Sequence, residues 1–587
     1  MVNNIRNNQP RQWWHDAIFY EIYSQSFKDS NADGFGDIPG IIEKLDYLTD
    51  LGVDCLWLTP IHQSPFMDSG YDTSNYIEID PAFGTLIDFQ KLVFEAHRRN
   101  LKVILDLVIG YTADSHPWFT EGRKSKNAPT HDYYVWGGNA AKGLLNNWFS
   151  AYAAQPAWNY NPATDEYYFY AFLPSQPHLN LANLKVQDEL LAVTKYWLDQ
   201  GIDGFRVDAI NWTIADQERR DNPGEGFKQV HIFDRNQQGV HGLLKRLRRL
   251  ADSYARPIVL IGEVAPGHSM ECKEYYGLNH DELHLNFNLY TCEVIRPKGW
   301  YTGNFLPGAK QRLAEQVEGF TLKDLREAVQ DHDLSFRAID LWPTVVVGNH
   351  DRPRVYSLYG RLVQPEHRDQ MAKLVAAFTI LSKGTPFIYY GEEIGMENMV
   401  FESVTEFKDN FGVCLYENLV NEGKLSPEDA LVYAHLVTRD VSRTPMQWDG
   451  TLQAGFSSNS KTWLRVNPDY VTKNVRAQQA EPNSIYNFYK RLIELRKKQP
   501  AFCEGEYVWV DKSSNDYLAF LRRGKEDAFL VALNFSEQAL EIPLNFEEYG
   551  IKSNGVKILL SSHSRSLIEN HPKLSLQPVE TLIGKLI

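Results

Sequence analysis

From Ala17 onward, short apolar runs alternate with helical patterns, as expected of parallel strands joined by crossover helices. Eight runs qualify, at residues 17–23, 55–58, 103–108, 204–207, 258–262, 283–287, 344–347 and 386–390. Nearly all run directly into polar or acidic residues: Asp106, Asp208, Glu263, Asn349-His350-Asp351 and Glu392-Glu393. Eight β/α units with chemistry gathered at the C-terminal strand ends predict an α/β fold, a (β/α)8 TIM barrel.

Two stretches break the rhythm. The 74 residues at 113–186 contain 15 Phe, Trp or Tyr, and a connection that long forms a small domain of its own. Most of those rings are expected to be its core, with some free to stack on a ligand beside the barrel mouth. After residue 502 the pattern becomes alternating strands, at 506–510, 517–521 and 528–533. The expected organisation is therefore a barrel at 1–112 and 187–502, an inserted subdomain at 113–186 and a sandwich-like all-β domain at 503–587.

Composition narrows the function classes. The 587 residues are 43% hydrophobic and 13% aromatic, ample for a core. A net charge of -15 argues against nucleic acid or an anionic membrane as partner and favours a neutral substrate. Five scattered cysteines without C-x-x-C spacing indicate neither a disulfide framework nor a zinc site. The N-terminus is polar, and no run approaches the length of a membrane span. A cytoplasmic protein follows as the expectation, either monomer or homodimer.

Five positions, Asp29, Asn31, Asp33, Phe35 and Asp37, form a loop of alternating oxygen ligands around Gly34. The spacing suits a hard cation and predicts a structural Ca2+, the alternative being an Asx-rich turn without an ion. Arg206 and Asp208 fall two apart at the end of a strand, on one face, so a fixed cation is expected to keep Asp208 ionised as a nucleophile must be. Glu263 follows an apolar run, where burial raises a carboxyl into the range of a general acid. The barrel mouth should thus gather Asp106, Arg206, Asp208, Glu263, His350 and Asp351. One ionised and one protonated carboxyl facing a neutral polyol is what glycosidic bond cleavage requires.

Tyr71-Asp72, Asp106, Gly204-Phe-Arg-Val-Asp208, Gly262-Glu263 and Asn349-His350-Asp351 resemble, in order, the signature regions of the α-amylase family of glycoside hydrolases. The opening 13–23 segment, Ser442-Arg443-Thr-Pro-Met-Gln-Trp448-Asp449 and the 384–395 segment resemble its branch of oligo-1,6-glucosidases, α-glucosidases and trehalose synthases. The resemblance implies that Asp208 is the nucleophile, Glu263 the acid/base and Asp351 the third carboxylate, gripping sugar hydroxyls with His350 beside it. Arg206 would orient the nucleophile with Asp106 as its partner. Asp68 and Arg443 would pair to close the pocket over the 4-hydroxyl, and Tyr71 would be the stacking platform. It also implies calcium in the 29–37 loop and no organic cofactor.

Two positions depart from or tune that pattern. Gly110-Tyr111 replaces the family's Asn-His, whose histidine bonds the 6-hydroxyl, so Tyr111 is expected to alter recognition of the sugar. Ala209, in place of the valine that accompanies 1,6-linkage preference, favours 1,4 or mixed linkages. The expected activity is that of a retaining, exo-acting α-glucosidase on malto- or isomalto-oligosaccharides or sucrose, its two catalytic carboxyls roughly 5 Å apart. Alternatives are a glucosyltransferase or isomerase such as a trehalose synthase and, in another class, a non-catalytic sugar-binding homologue.

Overall fold

The computed structural model describes residues 11–264, 269–293, 305–308, 321–337, 341–511, 514–553, 555–565, 568–569 and 573–587. Met1 to Pro10, most of the polar N-terminus, lie outside them. Eight parallel strands form one sheet, here numbered in chain order: β1 Phe19–Ile22, β2 Cys55–Leu58, β3 Lys102–Leu107, β4 Gly204–Val207, β5 Val259–Gly262, β6 Leu285–Asn286, β7 Thr344–Val345 and β8 Thr385–Tyr389. The spatial order is β6-β5-β4-β3-β2-β1-β8-β7. Each lies on one of the expected runs, to within a residue. Side-chain bonds close the ring between β6 and β7: Thr344 Oγ1 donates to the Asn286 carbonyl at 2.9 Å and accepts from the Asn288 N–H at 3.0 Å. The result is the (β/α)8 barrel that the alternation implied.

Side-chain period two explains why the chemistry sits at one end. Phe19, Ile104 and Ile261 share an interior cluster with Trp57, Leu285 and Phe387. Two residues further along the same strand faces come Glu21, Asp106 and Glu263. The apolar layer thus gives way to a charged one near the C-terminal strand ends. In register, Arg206 lies beside Asp106 on one side and Ile261 on the other. Gly204 permits that approach, because a methyl group there would run into the Val259 carbonyl oxygen.

Within the 113–186 stretch, strands Trp136–Gly137, Trp158–Asn161 and Glu166–Phe169 make a three-stranded antiparallel sheet. Phe119, Trp148, Phe169 and Tyr170 are fully buried, so most of its rings are core, while Tyr152 and Phe172 line the barrel mouth. Antiparallel strands from Glu506 to Leu586 follow the barrel, including the six-stranded sheet. After β8 the chain adds a helix pair that strand counting did not anticipate, Asn410–Asn421 and Pro427–Val437. It caps the mouth: Phe411 stacks on Tyr152 at 4.6 Å and Asn410 Nδ2 donates to the Met67 carbonyl at 2.6 Å. Among the described residues no helix is long and apolar enough to cross a membrane, and no disulfide forms.

Candidate active site

The site is built around one buried guanidinium. Arg206, with no exposed surface, donates through Nη1 to Asp208 Oδ1 at 2.6 Å and Asp106 Oδ1 at 2.7 Å, and through Nη2 to Glu263 Oε2 at 2.5 Å. Asp106 accepts further bonds from Trp57 Nε1 at 3.1 Å and the Tyr71 hydroxyl at 3.2 Å. Immediately after Asp208 the chain turns through Ala209 in the left-handed region, φ 39° and ψ 43°, strained for a residue with a Cβ. That turn aims the Ala209 N–H at Glu263 Oε2, 3.0 Å away.

Three carboxyls share one cation, and the protonation differs from the expectation for Asp208. Burial pushes the Asp208 carboxyl up to about 8; Arg206 pulls it down, but the Glu263 and Asp106 charges add to the rise. Burial likewise raises Asp106 to about 6 against the pull of Arg206. One guanidinium does not offset the desolvation of Asp208 and Asp106, so both stand above the ordinary aspartate value. Tyr111 donates its hydroxyl to Asp208 Oδ2 at 2.7 Å. Burial and the Asp208 charge hold that phenol well above its ordinary value, so it stays a donor.

The opposite wall has the reverse balance. Asp351 accepts from Arg443 Nη2 at 2.8 Å and lies 3.6 Å from Arg439 Nη1 and 3.4 Å from His350 Nε2. Burial opposes its charge, but His350 and the two arginines hold it well below the usual carboxylate range. His350 bridges the Tyr71 hydroxyl at 2.7 Å and Glu21 at 2.5 Å. Burial moves Glu21 up and His350 down, toward their neutral forms.

The expected pairing of Asp68 with Arg443 does not occur. Arg443 is drawn to Asp351 and to the His350 carbonyl at 2.8 Å, and Arg439, four residues earlier, takes Asp68 at 2.6 Å. Asp409 fixes that arginine through two bonds, 2.5 Å and 3.0 Å, while Gln176 Nε2 donates to the other Asp68 oxygen at 2.9 Å. Arg439 and its props were missed because their partners lie far away in sequence; the spacing Arg439-x-x-x-Arg443 was the only clue. Asp72 is a loop former, accepting the N–H groups of Met67 and Asp68.

These groups enclose a small cavity of about 110 Å3, lined by Asp68, Tyr71, Tyr111, Asp208, Glu263 and Asp351, with Phe172, Trp212 and Arg439 among the others. The 29–37 loop lies apart. Asp29, 2% exposed, accepts the N–H groups of Asn31, Ala32 and Gly34. Asn31 and Asp33 each accept the N–H two residues on, and Asp37 caps the next helix through the Gly40 N–H at 2.6 Å. Among the described residues no group of three His, Cys, Asp or Glu side chains is placed to hold a metal ion.

A barrel with this polar cluster at its mouth defines a glycoside hydrolase, and sequence comparison gives the lineage. The model of the α-amylase catalytic domain matches residues 21–505, so the chain belongs to the α-amylase family. It is 35% identical to an oligo-1,6-glucosidase of Bacillus cereus, over 98% of this chain and 100% of that protein. A probable α-glucosidase of Rhizobium meliloti is 34% identical over 91% of this chain and 92% of its own length. Among solved structures, an isomaltulose synthase mutant from Erwinia rhapontici in complex with sucrose superposes with a TM-score of 0.89 at 31% identity, covering 99% of this chain and 100% of that one.

Proposed function

We propose that the chain is a retaining, exo-acting α-glucosidase of short α-glucosides. The observation that carries this reading is Arg206 binding carboxyls from β4 and the end of β5 on one side of a small cavity whose other side carries Asp351 and the Asp68–Arg439 pair. Asp208 in its ionised form, which Arg206 and the Tyr111 hydroxyl favour, attacks the anomeric carbon, the bond to the leaving oxygen breaks, and Glu263 gives its proton to that oxygen. Glu263 then takes a proton from water, the water oxygen bonds the anomeric carbon, and the bond to Asp208 breaks. Asp351, kept ionised, accepts two sugar hydroxyls. Tyr71 and His350 line the sugar, and the Asp68–Arg439 pair limits the cavity to a terminal residue. Tyr111 holds Asp208 through a donated bond.

Labelling with 2-deoxy-2-fluoro-α-glucosyl fluoride followed by peptide mass spectrometry tests the reading. An adduct on Asp208 is expected, and an adduct elsewhere, or none under turnover conditions, overturns it. A second reading, glucosyl transfer or isomerisation, is supported by the likeness to sucrose-bound isomaltulose synthase and to trehalulose synthase over nearly the whole chain. Product analysis with sucrose or maltose separates the two: free glucose marks hydrolysis, an isomeric disaccharide marks transfer.

We further propose that the 29–37 loop binds a structural Ca2+. Support comes from two buried carboxylates, Asp29 and Asp37, without a basic side chain in ion-pair contact among the described residues, and from the alternation of oxygen-bearing residues Asp29, Asn31, Asp33 and Asp37 along the loop, with the Phe35 carbonyl as the further oxygen the proposal needs. Chelator-treated protein is expected to unfold several degrees lower and recover with Ca2+; unchanged unfolding refutes the site. The scattered cysteines, none of them in a disulfide, favour a cytoplasmic location, and we propose a monomer or homodimer.

A further inference from the structure

A second cavity, about 370 Å3, adjoins the first, and Ala151 and Trp212 line both. Its walls come from segments that surround the mouth: Phe149 of the insertion, Phe227 of the loop after β4, Phe305, and Phe411 with Leu415 of the helix Asn410–Asn421. Phe149, Phe227 and Phe305 stand edge to face, with centroids 5.2 and 5.3 Å apart. All three are only half-buried. Trp212 joins this ladder to the catalytic pocket through Phe172, 5.8 Å away.

Of the cavity's polar side chains, Arg235 lies with its guanidinium over the Trp212 ring, 5.8 Å from the centroid, and Ser150, Gln229 and His231 are engaged by hydrogen bonds. Ser150 Oγ donates to the Phe172 carbonyl and accepts the N–H groups of Tyr152 and Ala153, at 3.2 and 2.8 Å. Gln229 accepts from the Phe149 N–H at 2.9 Å and donates to the Asn147 carbonyl at 2.8 Å. His231 is held by Asp234 at 2.8 Å. Among the described residues no carboxylate lines this cavity, whereas Asp68, Asp208, Glu263 and Asp351 line the first. A second hexose brings several hydroxyls that each need a partner on leaving water, while an apolar ring needs none and gains from contact with the phenylalanine faces.

We propose that this cavity receives the group attached to the sugar and that it takes an apolar, aryl-type aglycone in preference to a second hexose. The inference rests on Asp208 and Glu263 acting as the cleaving pair. The full-length protein is assayed on benzyl α-glucoside, whose alcohol is no better a leaving group than a sugar, and on isomaltose and maltose. α-Glucosyl fluoride, which needs no aglycone site, serves as the reference. The benzyl glucoside is expected to exceed both disaccharides in kcat/KM by about tenfold, and Phe227→Ser or Phe149→Ser to lower the benzyl-to-fluoride ratio by about fivefold or more. Disaccharides that match or exceed the benzyl glucoside overturn the proposal, as does a ratio unmoved in both variants. Failure to hydrolyse α-glucosyl fluoride at all overturns the catalytic reading itself, and this inference falls with it.

Discussion

Two carboxylate clusters face each other across the barrel mouth with opposite charge balance. On the β3–β5 side, Asp106, Asp208 and Glu263 share the single Arg206. Beyond β7, Asp351 has Arg443 at 2.8 Å and Arg439 at 3.6 Å. Burial opposes ionisation in both places, so the nearby cations decide: Asp208, sharing Arg206 with two other carboxyls, is pushed up to about 8, whereas His350, Arg439 and Arg443 hold Asp351 well below the usual carboxylate range. In a retaining glycosidase the nucleophile works ionised, so the rise of Asp208 puts a cost of ionisation on the first cluster that Asp351 in the second does not carry.

The largest test of the contrast is Asp208→Asn. Activity on α-glucosides is expected to fall about 10^4-fold or more, while stability rises by on the order of 1 kcal/mol at alkaline pH. The folded value of Asp208, about 8, lies above the unfolded value of about 3.9. The folded state therefore binds more protons between those limits, and this carboxyl costs stability as pH rises through them. Thermal melts at pH 5 and pH 9 check the sign, and a variant no more stable at pH 9 breaks the comparison.

Asp351→Asn should be next, with kcat/KM down about 10^2- to 10^3-fold. Its depressed value means stabilisation that is present above about pH 4 and lost as pH falls further. The variant is expected to be less stable than the parent at pH 6, with a smaller gap at pH 3. Denaturant midpoints at the two pH values measure this.

Tyr111→Phe removes one donor to Asp208 and, with it, a bond that lowers the Asp208 value. The loss in kcat/KM is set at about three- to tenfold, near 1 kcal/mol, and the acid limb of the pH profile should move to higher pH. A limb that stays in place refutes the role of the phenol. The smallest effect belongs to the left-handed Ala209: Ala209→Gly relieves about 1 kcal/mol of strain, and Ala209→Val adds to it, because a β-branched side chain tolerates that region least. Melting temperatures moving in opposite directions would sharpen the link between this turn and Glu263.

Parts of this site are legible in the chain's local pattern. The eight apolar runs mark the strands, and period two places Arg206 and Asp208 on one face. The acidic residue at the end of a run marks Asp106 and Glu263. Arg439 is not legible in this way, because its partner Asp68 lies 371 positions away, and nothing local distinguishes it from Arg443. The aromatic cavity is equally hidden, since Phe149, Phe227, Phe305 and Phe411 share no motif and meet only when an insertion, a loop and a helix pair converge.

By itself the sequence determined the barrel, its order of strands and the carboxyls at their ends, because strand burial and side-chain alternation are local properties of the chain. Only the tertiary structure decided which arginine meets which carboxylate, that burial raises Asp208 and Asp106 while Asp351 is held down, and which aromatic rings line the second cavity. Those depend on desolvation and on charges brought together from distant segments, quantities that no local pattern encodes.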